Sequence, residues 1–334
     1  MTKQKFISSC LCLAFALISV LFFYVAPQSV CAEDKSNLSR YNLTTDKQIV
    51  RKDQGGYSLC WAFSASRSLE TYLQNFNINI DISESFASLA YANYVRNPEI
   101  DISQEQNNNA SYIVGNSGHS LYFQRGLNTY GIATEEDVPY SLVPTFRNAS
   151  PDEYNTHLST YLPYANTTLV SDLNFVWAGD IDKQNDAISN IKKYLVNYGS
   201  VYTQVNMLYM YDNQNTKCIL TPEIEPPRTN HAVSIVGWDD NYTYAEKLGA
   251  FLVMNSYGEY DEFFYVMYDD YNVAAFAKCI ESLKINGKLY TTTLETNVHQ
   301  GGFNTVLIAI AGVSGCLIVG VNFYVNKKHF GRRD

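Results

Sequence analysis

The stretch Asp53-Gln54-Gly55-Gly56-Tyr57-Ser58-Leu59-Cys60-Trp61-Ala62-Phe63-Ser64 constrains this chain more than any other. Two consecutive glycines break the chain, and apolar residues then recur at Ala62, Ala65, Leu69, Tyr72, Leu73 and Phe76 with helical spacing. A helix therefore starts beside Cys60, with Ser58 expected to cap its first turn. The unpaired N–H groups and the dipole at a helix mouth favour negative charge. They are expected to lower the thiol's pKa, and the thiolate is the nucleophilic form. A lone cysteine is more often a buried structural residue, so a chemical role depends on partners elsewhere in the chain.

His231 is one of only five histidines and opens the run Asn230-His231-Ala232-Val233-Ser234-Ile235-Val236-Gly237-Trp238. That run is apolar and β-branched, the pattern of a buried strand. Asp239-Asp240-Asn241 reads as the turn that ends it. A second apolar run, Ala250 to Met254, leads into Asn255-Ser256-Tyr257-Gly258. Paired as a hairpin, the two runs bring His231 and Asn255 together. The asparagine amide oxygen then accepts the imidazole N–H and fixes the ring's tautomer. A core histidine with a turn asparagine fits the same pattern.

Taken together these segments resemble the papain-like cysteine peptidases, a family with a cysteine signature near the start of the domain and its His and Asn far downstream. The similarity extends over residues 41–283. Ile49 to Gln54 is similar to the family's approach to its oxyanion glutamine, and Ile82-Ser83-Glu84-Ser85 to its Leu-Ser-Glu-Gln element. Tyr130 to Glu136 followed by Pro139-Tyr140 is similar to its Gly-Ile…Tyr-Pro-Tyr segment, Ile191 to Val205 to the helix and strand before the histidine, and Phe263 to Tyr268 to the closing strand. The resemblance implies an α+β, two-lobed fold, with a helical left lobe and an antiparallel, β-barrel-like right lobe. It implies Cys60 as nucleophile, His231 as its proton partner, Asn255 as the group orienting His231, and Gln54 with the Cys60 N–H as the oxyanion hole. It implies a resting thiolate–imidazolium pair, and Gly118, in Gly115-Asn116-Ser117-Gly118, as the substrate-binding glycine. No cofactor is implied.

The chain departs from the family pattern at the rim of the site. Tyr57 stands where a disulfide cysteine is usual, Leu59 replaces a small residue before the nucleophile, and Tyr257 replaces the tryptophan that shields the Asn–His contact. A tyrosine covers that contact too, but brings a hydroxyl that needs a partner. Cys60 and His231 are also further apart than the usual separation of about 130–150 residues. The surplus is expected in the polar stretches 97–109 and 146–180.

The termini carry a different signal. Lys3 and Lys5 precede an apolar stretch from Phe6 to Ala26, and Val30-Cys31-Ala32 forms a small-residue cleavage site. Residues 1–32 read as a secretory signal peptide, with retention as a signal anchor left open. Residues 33–40 read as a short linker. So short a segment before the domain leads to the expectation that no conventional zymogen form exists. Residues 284–303 read as a stalk and 304–325 as a transmembrane helix. Thr305 to Val325 contains no charge, and about 21 residues at about 1.5 Å each span a hydrocarbon core of about 30 Å. The basic tail 326–334 then lies in the cytoplasm and the domain outside.

The net charge of −9 makes nucleic acid an unsuitable partner. The scattered histidines show no metal-ligand spacing. Of seven cysteines, Cys10, Cys12 and Cys31 fall in the signal and Cys316 in the anchor. Cys218 and Cys279 pair or stay free; both remain open. So few disulfides in an exported domain fit a Gram-positive cell surface. The expected function is a membrane-tethered, extracellular cysteine endopeptidase acting on protein or peptide substrates. The alternatives are a catalytically weak domain that binds peptide or cell-wall polymer, and an acyltransferase or isopeptidase using the same triad.

Overall fold

The computed structural model describes residues 35–103, 111–165, 171–177, 184–213, 216–223, 228–258, 262–285 and 287–291. All belong to the first of two units of the chain, Met1–Leu294. The expected signal peptide, transmembrane helix and basic tail lie outside the described residues. Among the described residues no helix is long and apolar enough to cross a membrane.

The first helix, α1, runs Cys60–Leu73, and every residue from Trp61 to Leu73 is buried. Helices α2 (Glu84–Tyr94) and α3 (Ser120–Tyr130) pack around it, with α4 (Val143–Asn148) and α5 (Pro151–Tyr161) completing a helical layer. Ser83 caps α2 by accepting from the Phe86 N–H. A capping box between Ser150 and Glu153 starts α5. Trp61, Leu69, Tyr72, Phe86, Tyr91 and Phe123 lie in the hydrophobic core of this layer.

The rest of the fold is a sheet. Its strands are β1 (Arg40–Asn42), β2 (Ser171–Trp177), β3 (Val201–Val205), β4 (Met210–Asn213), β5 (Thr216–Ile219), β6 (His231–Tyr244), β7 (Lys247–Met254), β8 (Phe263–Met267), β9 (Lys278–Ile285) and β10 (Lys288–Thr291). They follow the order β10-β9-β3-β6-β7-β8-β5-β4, with β1 added to β6 and β2 to β9. Pairing is antiparallel apart from β5 with β8. Helix α6 (Gln184–Tyr198) precedes β3, and its Ile191 and Leu195 join Val201, Ile235, Trp238, Phe251 and Val266 in a second hydrophobic core. The short helix α7 (Tyr271–Ala275) is capped by Asp270. Helices on one side and a largely antiparallel sheet on the other make the fold α+β.

Three expectations are corrected here. Asp239-Asp240-Asn241 does not end the strand: β6 continues to Tyr244, and the tight turn falls at Ala245-Glu246, both at positive φ. Asp239 spends its turn chemistry on a local bond from the Asn241 N–H, inside an irregularity of the β6–β7 register. Tyr242, Thr243 and Tyr244 favour extended backbone and carry the strand on. At the N-terminal side, Arg40 already pairs with Asp239 in β1, so the ordered domain begins within the expected linker. At the far side, Lys284 and Ile285 end β9, and β10 pairs back on it from Lys288 to Thr291. The first part of the expected stalk is therefore sheet.

Candidate active site

Helix α1 starts at Cys60, as its glycine break requires, but its cap differs from expectation. The N-cap position is Leu59, without a side-chain cap bond. Ser58 is held through its backbone, whose N–H donates to the Gly115 carbonyl over 3.0 Å. Leu59 is fully buried, so the bulky residue before the cysteine is an anchor in the helical core.

The β6–β7 hairpin forms and brings the distant residues together. Ser234 pairs with Met254 in register, which sets His231 and Asn255 side by side at its open end. His231 Nε2–H donates to Asn255 Oδ1 over 2.7 Å, and both residues are buried. The same Oδ1 accepts the Ser256 N–H over 2.8 Å. Two donors on one oxygen leave the amide little freedom, and the ring is fixed with its proton on Nε2. Tyr257 lies over the imidazole, with ring centroids 4.8 Å apart. It covers the Asn–His contact as a tryptophan would, and its hydroxyl finds a partner at His231 Nδ1, 3.3 Å away.

Gln54 is buried and tied to the same loop. Its Oε1 accepts from Ser256 Oγ over 2.6 Å and its Nε2 donates to the Tyr57 carbonyl over 2.7 Å. Its backbone N–H donates to the Ser256 carbonyl over 2.8 Å, and Asp53 bridges Tyr257. The Tyr140 hydroxyl donates to the Gln54 carbonyl over 2.8 Å. One amide N–H of Gln54 thus holds the side chain in place, and the second is left over.

The segment Gly115 to Gly118 closes the other side. Trp61 Nε1–H donates to the Asn116 carbonyl over 3.1 Å, and Arg147 Nη1 to Asn116 Oδ1 over 3.2 Å. A Cβ on Gly118 would stand 2.6 Å from Tyr122 and 2.9 Å from Trp61. Any side chain there would push the segment away from the mouth of α1.

Burial acts against the expected ion pair. Burial pushes the Cys60 thiol up, and the N–H groups of Ala232, Trp61 and Cys60 pull it down without cancelling that effect. Burial likewise lowers the His231 imidazole, against the Asn255 bond, which raises it. The helix mouth does what its dipole predicts, but desolvation of the charged forms is larger. Among the described residues no hydrogen bond joins Cys60 to His231. The pull of the Ala232 N–H nevertheless puts the sulfur beside the first residues of β6. Cys218 and Cys279 are both free and buried.

Two supports were not anticipated from the sequence. Arg67, two turns along α1 from Cys60, is buried with no paired carboxylate among the described residues. Its Nη1 donates to Ser234 Oγ over 3.0 Å and to the Met254 carbonyl over 3.4 Å, and its Nη2 to the Asn255 carbonyl over 3.4 Å. Lys52, two residues before Gln54, contacts Glu70, Asp81 and Glu84 at 2.9, 2.7 and 2.7 Å.

A thiol at a helix mouth, an imidazole bonded to an amide and a buried glutamine tied to the same loop come together where the helical layer meets the sheet of an α+β fold. Residues 40–277 match the papain family cysteine protease family, and the chain belongs to that family. A search of curated proteins finds no match. Among solved structures, the protease and lectin-like domains of Cwp84, a surface layer associated protein of Clostridium difficile, align with TM-score 0.53 and 23% identity. That alignment covers 77% of this chain and 52% of the other. A clostridial Cwp84 variant, in its form after propeptide cleavage, aligns with TM-score 0.53 and 25% identity over 74% of this chain and 59% of the other. SERA5E from Plasmodium falciparum aligns with TM-score 0.50 and 16% identity over 74% and 96%. The chain spans between half and six-tenths of the length of the two Cwp84 structures.

Proposed function

We propose that this chain is an endopeptidase in which Cys60, His231 and Asn255 form the catalytic triad and Gln54 completes the oxyanion hole. The observation that carries this is the His231–Asn255 bond of 2.7 Å, made by the one nitrogen that leaves Nδ1 for a thiol proton. Cys60 Sγ attacks the scissile carbonyl carbon and its proton passes to His231 Nδ1. The oxyanion forms against the Cys60 N–H and the second N–H of Gln54. His231 then protonates the leaving amine, and water, deprotonated by His231, releases the acyl group from sulfur. Gly118 leaves the backbone of its segment open to an extended substrate.

An epoxide inactivator of papain-type enzymes tests the assignment. The expected result is one adduct, on Cys60, lost in Cys60→Ala with the fold retained. A folded wild-type domain that forms no adduct rejects the triad. Gln54→Ala is expected to lower kcat by about 100- to 1,000-fold, the usual effect of one oxyanion donor.

We further propose that the domain faces outward from a membrane, held by residues 304–325 and exported by 1–32. The uncharged stretch followed by a basic tail supports this, as does the surface-layer association of Cwp84. A membrane-impermeant thiol reagent is expected to reach Cys60 on intact cells. Labelling only after lysis rejects the outward orientation.

A further inference from the structure

The position that the family fills with a tryptophan here carries a hydroxyl, and that hydroxyl lies at the atom the reaction needs. Tyr257 Oη is 3.3 Å from His231 Nδ1. The other ring nitrogen is committed, since Nε2–H donates to Asn255 Oδ1 over 2.7 Å. A neutral imidazole with its proton on Nε2 has a single lone pair, on Nδ1. The Tyr257 O–H donates to that lone pair.

We propose that the Tyr257 hydroxyl is a positioning residue that competes with Cys60 for His231 Nδ1 and so holds the resting enzyme as thiol and neutral imidazole. This rests on the triad proposed above. For the thiol proton to move, the O–H···Nδ1 bond breaks, the S–H bond breaks, and the proton forms Nδ1–H, leaving the thiolate. In that ion pair the Nδ1–H serves the thiolate, and the hydroxyl no longer has a lone pair to donate to. The hydroxyl therefore favours the neutral pair. A tryptophan or phenylalanine at 257 covers the ring without that preference.

Few other groups act on the ring. Burial lowers the His231 imidazole and the Asn255 bond raises it. The Tyr257 hydroxyl lies at Nδ1, and the Cys60 thiol lies beside the N–H of Ala232, the residue after His231. Arg67 lies beneath the Asn255 carbonyl and Asp53 bridges Tyr257. Glu262, whose carbonyl accepts the Asn255 N–H, pairs its carboxylate with Arg51. These last three are unchanged by a substitution at 257.

The test is the pH dependence of Cys60 alkylation by iodoacetamide, followed by mass spectrometry of the Cys60 peptide. It is run on wild type, Tyr257→Phe and Tyr257→Trp, each shown to be folded by its thermal transition. Removing the hydroxyl is expected to lower the apparent pKa of alkylation by about one unit, which multiplies the rate near pH 6 about tenfold. The two variants shift alike, because each keeps an aromatic cover. An unchanged or raised apparent pKa in the folded variants overturns the proposal while leaving the triad in place. A wild-type Cys60 that resists alkylation across the whole pH range overturns the triad itself, and this proposal with it.

Discussion

At the scale of single residues, Lys52 shows how a charge is kept in the core beside the candidate site. One ammonium faces three carboxylates, of which Glu84 is the most buried. Burial opposes the Lys52 cation, but Glu84, Glu70 and Asp81 together raise its pKa. A single ammonium does not neutralise three carboxylates. Burial, outweighing the pull of Lys52, raises Glu84 from 4.5 to about 7. Lys52→Met leaves the acids without their cation and is expected to cost about 3–5 kcal/mol in urea unfolding; a loss below about 1 kcal/mol would show that the cluster is already neutral. The sign of the pH effect follows from the raised carboxyl. The folded protein binds this proton more tightly than the unfolded chain. The stabilisation is complete below about pH 4.5 and is lost as pH rises through about 7. Glu84→Gln has no proton to lose, so its stability relative to wild type is expected to rise between pH 5 and pH 8. Unfolding curves whose separation is the same at both pH values would contradict this.

At the scale of elements, α1 is the piece whose sequence says least about its surroundings. Its apolar residues, read at helical spacing, predict one buried face. The structure buries the other face as well, because the helix lies between the helical layer and the sheet. That second face is Ser64, Arg67, Ser68 and Thr71, spaced three and four apart as a solvent-facing stripe would be. Each polar group has a partner: Ser64 Oγ donates to the Val233 carbonyl over 2.7 Å, and the Ser200 N–H donates to Thr71 Oγ1 over 2.9 Å. Periodicity reports polarity, and nothing local to α1 distinguishes water from a strand that offers carbonyls. The hairpin was more legible, because two apolar runs and a compact linker leave few pairings. The set of Gln54, Cys60, His231 and Asn255 was legible through the resemblance of the segments around them to the papain-like peptidases. The balance of burial against the helix dipole at Cys60 was not, since it depends on how much protein covers the sulfur. Arg67 gives this interface its test. Arg67→Met removes three donors and leaves the Met254 and Asn255 carbonyls without these bonds. The expected loss is about 1–3 kcal/mol, with kcat falling more than KM rises, because the carbonyl of Asn255 itself is released. A KM effect alone would place Arg67 outside the positioning of Asn255.

At the scale of the whole molecule there are two hydrophobic cores, the first of which takes in apolar residues of β3, β6 and β9, and beside the candidate site the seam between them is polar. Trp61, Leu69 and Tyr72 belong to the first core, Ile235, Trp238 and Phe251 to the second. Across the seam run the contacts of Ser64, Arg67 and Thr71 with the sheet, and those of Gln54 with Ser256. The candidate site is divided by the same seam: Cys60 and Gln54 come from one side, His231 and Asn255 from the other. Water competes for polar contacts more easily than for apolar ones, so the seam is expected to loosen before either core. A separation of about an ångström at the site suffices to lose much of its rate. In a urea titration, peptidase activity and epoxide labelling of Cys60 should therefore fall at lower denaturant than the far-ultraviolet circular dichroism of the helices. Arg67→Met should move the activity midpoint further than the dichroism midpoint, because it weakens the seam and neither core. If all three signals fall together, in wild type and variant alike, the lobes unfold as one unit. The seam is then as strong as the cores it joins.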